Sequence, residues 1–175
     1  NDINRCWAFR GLVKYKASDL ISISRAALKN PKCGYRDEAL IALAAQGDSE
    51  GTARLKKELS QLDAFGGACK MIARQRRREF LPALQQCKKY LDKNPSLRQY
   101  LESHCISAMA ACGDAIAQSQ FQSCLTQGSM ISRAAALEYV PYVRTPVTLA
   151  ITRSALNDRE PSVRAAARKA LGMEP

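Results

Sequence analysis

Seven cysteines, one histidine and a dense run of basic residues are the side chains of this sequence with most chemistry to offer. Thiols cross-link, ligate metals or attack electrophiles, and each use demands its own spacing. No two of Cys6, Cys33, Cys69, Cys87, Cys105, Cys112 and Cys124 are spaced C-x-x-C, which argues against a zinc ribbon or a thioredoxin-like motif. His104 stands inside a helical run beside Cys105 and reads as a core or surface histidine, not a catalytic base. Ser22, Ser24 and Ser60 have no base near them in sequence. The pair Gly66-Gly67 lacks the Lys-Ser/Thr of a phosphate loop. The inventory therefore predicts no catalytic residue, no metal and no cofactor.

The basic residues are better placed. Between residues 70 and 93 stand Lys70, Arg74, Arg76, Arg77, Arg78, Lys88, Lys89 and Lys93, against only Glu79 and Asp92. Eight cations against two anions leave +6 there, over half of the chain's +11. Helical spacing puts Arg74, Arg77 and Arg78 on one side of a helix. The plain reading is a solvated face that aids solubility. The functional reading is a focus of positive potential for an anionic partner: an acidic protein, a lipid or cell-wall polymer, or a nucleic acid. Aromatic residues are 6% of the chain, too few for an obvious base-stacking platform.

These residues must be positioned by helices. Leu, Ile and Ala recur at intervals of three and four, and alternating β-branched runs are nearly absent. Asn30-Pro31, Asn94-Pro95 and Glu160-Pro161 interrupt the pattern, while Gly47-Asp48 and Gly113-Asp114 read as a helix-closing glycine followed by an N-cap aspartate. The punctuation predicts a leading helix within residues 1–15 and five helical hairpins over 17–47, 48–78, 79–113, 114–143 and 145–173. A period near 31 residues signals stacked repeats, each unable to bury its apolar stripe alone. No apolar run approaches the roughly 20 residues that cross a bilayer. The start at Asn1 and a leader shaped like the second helix of a repeat suggest a fragment of a longer protein, with any signal peptide or anchor upstream. Trp7, Phe9 and Tyr15 in that leader are expected to pack, as is the stretch Tyr139-Val140-Pro141-Tyr142-Val143.

Hairpin geometry then suggests cysteine partners, because residues facing across a hairpin are numbered symmetrically about its turn. Cys105 and Cys124 are symmetric about Gly113-Asp114, and Cys69 and Cys87 about a turn at Arg78-Glu79. Cys6 and Cys33 fall near the starts of neighbouring second helices. Three disulfides, Cys6–Cys33, Cys69–Cys87 and Cys105–Cys124, are expected, with Cys112 free. They would place the protein in the periplasm or outside the cell; buried thiols in a cytoplasmic protein are the alternative.

The second helices repeat a basic residue followed three positions later by a small or apolar one: Arg5/Ala8, Arg36/Ala39, Lys70/Ala73, Arg98/Leu101, Arg133/Ala136 and Arg164/Ala167. The stretch NDREPSVRAAARKALG, residues 157–172, resembles a HEAT repeat through Asp158, Pro161, Val163, Arg164, Ala167, Ala170, Leu171 and Gly172. NPKCGYRDEALIALAAQGD, residues 30–48, is a weaker copy, and 66–78 departs most. The resemblance implies an all-α, right-handed α-solenoid in which Arg5, Arg36, Lys70, Arg98, Arg133 and Arg164 form a structural ladder, with Asp158 paired to Arg164. It implies a noncatalytic scaffold binding a protein partner on its concave face, and the basic run of residues 70–93 makes the expected partner acidic in its contact region. It leaves open a nucleic-acid-binding protein of DNA-repair type.

Overall fold

The computed structural model describes residues 8–9, 11–14, 17–30, 32–61 and 64–173, with only the backbone for 95–100. All regular structure among these residues is helical. The chain divides into two compact units, residues 1–71 and 72–175.

The first unit contains α1 (Leu20–Lys29), α2 (Arg36–Ala45), α3 (Ser49–Glu58) and the start of α4 (Phe65–Gln75). α1 packs on α2, and α2 on α3. Burial explains the pairing: Leu20 and Ala27 of α1 meet Ala39 and Ala42 of α2 around Phe9, which is 2% exposed. The Phe9 ring stacks on Tyr35 at 4.9 Å between centroids, so Phe9 packs within the unit. Trp7 and Tyr15 lie outside the described residues. α3 comes very close to α2 because its contact residue is Gly51: a Cβ there would lie 2.6 Å from the Leu43 Cβ.

The second unit holds the end of α4, then α5 (Leu81–Lys93), α6 (Pro95–Ala111), α7 (Ala115–Gln127), α8 (Met130–Leu137), α9 (Pro146–Ser154) and α10 (Pro161–Ala170). Consecutive helices pair as α5–α6, α7–α8 and α9–α10. Alternate helices also pack: α8 on α6, α10 on α8, and α9 on α7. α6 touches α5, α7 and α8, and its segment from Ser103 to Ala111 is buried throughout. That segment is rich in alanine and other small residues, which let neighbours close in from several sides.

Helix ends follow local chemistry. Asp48, Asp114, Ser129 and Thr145 accept backbone N–H groups of the first turns of α3, α7, α8 and α9. Proline occupies the first turn of α5, α6, α9 and α10, where no N–H is needed. Among the described residues no helix is long and apolar enough to cross a membrane.

Candidate functional site

The end of α4 determines where the basic cluster sits. α4 stops at Gln75, three residues short of the expected end, and Arg76 follows with φ of 50°. Its N–H bonds to the Ala73 carbonyl at 3.2 Å, and the Arg77 N–H bonds to the Ile72 carbonyl at 3.1 Å. The same pair of bonds closes α2 at Gly47, α6 at Gly113 and α10 at Gly172, where φ is 81°, 89° and 70°. Glycine suits that left-handed turn because it has no Cβ to clash. Arg76 is the one bulky side chain found in this turn among the described residues.

The cluster is consequently not one helix face. Arg74 is on the last turn of α4, Arg76 and Arg77 are in the closing turn, and Arg78 opens a short 3-10 helix, Arg78–Phe80. The expected arrangement of Arg74, Arg77 and Arg78 on one helix side is corrected: the left-handed residue redirects the chain before Arg77. Lys70 is half-buried and belongs to the first unit. Arg77 is half-buried; its guanidinium bonds to the Glu79 carboxylate and lies 5.5 Å from the Phe80 ring centroid. Lys88 is 17% exposed and bridges Asp92 at 2.6 Å and Glu102 at 3.1 Å. Burial alone would lower the Lys88 pKa, but its bonds to both carboxylates outweigh this and hold it above the ordinary value.

Five cations of the cluster remain. Arg74, Arg76, Arg78, Lys89 and Lys93 are exposed and have no ion pair among the described residues. Arg78 Nη2 lies 4.0 Å from the point a Cβ on Gly113 would occupy, which fixes this arginine beside the turn after α6. Tyr90 is 46% exposed, next in sequence to Lys89.

The basic ladder has mixed roles. Arg133 forks onto Asp158 at 3.0 Å and 2.9 Å and also donates to the Gly128 carbonyl at 2.8 Å. Arg164, the expected partner of that carboxylate, donates to the backbone carbonyls of Asp158 and Arg159 at 2.8 Å and 3.0 Å. The aspartate thus joins adjacent hairpins instead of closing its own. Arg36 lies 3.9 Å from Glu58. Arg5 and the Arg98 side chain lie outside the described residues. Two related contacts had no signal in the ladder: Arg25 reaches Asp48 at 2.5 Å, and Gln85 reaches Asp114 at 3.2 Å. The N-cap spacing marked both aspartates, but not the residue that returns to each from an earlier hairpin.

The disulfide expectation is overturned. Cys33, Cys69, Cys87, Cys105, Cys112 and Cys124 are all free thiols, and Cys6 lies outside the described residues. Symmetry about a turn places residues at equal depth but does not aim them at each other. The Cys105 thiol donates to the Leu84 carbonyl at 3.3 Å, so it faces α5 and not Cys124 on α7. Burial pushes the Cys87 thiol up to about 11 and the Cys105 thiol higher still, with Cys87 adding to the latter. Without those bonds the cysteines favour neither an oxidising nor a reducing compartment. No group of three metal-ligating side chains occurs among the described residues. A shallow pocket lined by Arg36, Asp37, Lys57, Glu58 and Gln61 carries balanced charges. His104 Nδ1 is 2.9 Å from the Tyr139 hydroxyl, and both residues are buried.

No family model, curated protein or solved structure matches this chain.

Proposed function

We propose that the chain is a noncatalytic scaffold that binds an acidic protein partner through the basic surface after α4. The observation that carries this reading is the group of five exposed cations without ion pairs among the described residues: Arg74, Arg76, Arg78, Lys89 and Lys93. Arg25, Arg54 and Arg133 are tied to carboxylates, whereas Arg144, Arg153 and Arg168 are exposed without an ion pair among the described residues but do not lie in so dense a basic run. An unneutralised focus raises the local concentration of an anionic partner and speeds association. The stacking of α10 on α8 and α8 on α6 supports a HEAT-like, right-handed solenoid of five hairpins and a leading helix, a type of fold that offers a concave binding face.

The double substitution R74E/R78E tests it. The probe is a fluorescent octaglutamate peptide, followed by anisotropy at low salt. Binding weakens at least tenfold in the variant while helicity is unchanged. Equal binding by both proteins would reduce the patch to a solvated face.

Tyr90, exposed beside Lys89, favours a second reading in which a base stacks on the ring and the lysines hold phosphates. A twelve-residue oligothymidylate distinguishes the two. Tighter binding to it than to octaglutamate, with a steep loss as salt rises, would select nucleic acid.

A further inference from the structure

Four helix ends among the described residues close with one and the same turn, and three of them use glycine: Gly47, Gly113 and Gly172. The fourth uses Arg76, whose side chain is exposed and has no ion pair among the described residues. A Cβ in this backbone region is strained, so an arginine here destabilises the turn relative to glycine. Nothing among the described contacts offsets that cost within the fold. On either side of it, Arg74 and Arg78 are also exposed and without an ion pair among the described residues. The left-handed residue ends the helix between them, so Arg74 on the last turn of α4, Arg76 in the closing turn and Arg78 at the start of the 3-10 helix put three exposed guanidinium groups within five residues of chain.

We infer that Arg76 is a specificity residue. The turn 74–78 is a three-arginine clasp for closely spaced carboxylates of an acidic peptide segment, and Arg76 is its central contact. This rests on the acidic-partner reading above. The chemistry of the side chains narrows the ligand. All three unpaired groups in the turn are guanidinium, and a planar fork matches a carboxylate with two parallel hydrogen bonds where an ammonium offers a point charge. The site is one turn long. A nucleic-acid track needs cations spread along many phosphates, which favours a short acidic segment here.

The test compares wild type, Arg76→Gly, Arg76→Lys and R74E/R78E for melting temperature and for octaglutamate binding, with oligothymidylate as the competing probe. Arg76→Gly is expected to melt higher than wild type yet bind octaglutamate at least fivefold more weakly. Arg76→Lys keeps charge and backbone strain, so it is expected to melt like wild type and bind about threefold more weakly, because the fork is lost. Wild-type affinity in Arg76→Gly, with R74E/R78E impaired, would overturn the clasp while leaving the acidic-partner reading intact. Unimpaired binding in all variants would overturn both. Tighter binding of oligothymidylate than octaglutamate by wild type would overturn the acidic ligand.

Discussion

Arg133 and Asp158 are 25 residues apart in sequence and joined by two parallel hydrogen bonds, 3.0 Å and 2.9 Å long, that link α8 to the turn before α10. Their side chains are 13% and 16% exposed, which limits screening by solvent. Asp158 also accepts the Glu160 N–H at 2.9 Å. That backbone bond, followed by the Arg133 guanidinium, holds the Asp158 carboxyl below the usual aspartate pKa.

The sign of the pH effect follows. A carboxyl whose folded pKa is depressed contributes stability that is fully present above the ordinary aspartate value, about 3.9, and is lost as pH falls toward the folded value. Acid titration of stability should therefore steepen below about pH 4, and Asp158→Asn should flatten that limb. At pH 7 the same substitution should cost about 2 kcal/mol, the usual scale for a charge-assisted fork. Urea unfolding at both pH values checks this; an unchanged acid limb in the variant would refute it.

Free thiols give a second expectation. Cys33 and Cys124 are half-buried and Cys87 and Cys112 buried, and burial pushes the thiols of Cys87, Cys112 and Cys124 up to about 11. The thiolate is the reacting form. Iodoacetamide at pH 8 should label Cys33 of the folded protein first, and should reach the other three at comparable rates only in denaturant. Peptide mass mapping reads the order, and prior reduction should not alter it.

Gly51 sets two opposing terms against each other. Alanine is a better helix former than glycine by about 1 kcal/mol. Against that, its Cβ would sit 2.6 Å from the Leu43 Cβ and 3.3 Å from the Ala44 nitrogen, and overpacking of this kind costs about 3 kcal/mol. The clash should win, so Gly51→Ala should lower stability by about 2 kcal/mol, read from denaturant unfolding.

Ser24 offers the reverse case. Its hydroxyl is buried in α1 and has no hydrogen-bond partner among the described residues. A buried unsatisfied hydroxyl costs about 1 to 3 kcal/mol. Ser24→Ala should raise stability by about 1 kcal/mol, and a lower melting temperature would show that the hydroxyl has a role in the fold.

Local signals in the sequence were sufficient for the helices, because spacing and capping act over a few residues. Gly47-Asp48 and Gly113-Asp114 close one helix and cap the next as their order requires. Pro95 and Pro161 begin α6 and α10, and the apolar spacing of α10 buries Val163 and Ala167. The basic composition of residues 70–93 was equally plain. Arg76 was not legible as a turn, since arginine carries no left-handed preference.

Direction, the part of a contact that spacing does not encode, was decided by the tertiary structure. Equal depth about a turn left Cys105 facing the Leu84 carbonyl, and the carboxylate expected at Arg164 belongs to Arg133. Packing also sorted the basic run, giving Lys88 two carboxylates and Arg77 the Glu79 carboxylate while leaving Arg74, Arg76 and Arg78 without one among the described residues. Periodicity specifies which residues a helix turns inward; which neighbour meets them depends on how helices distant in sequence approach, and that is a property of the folded chain alone.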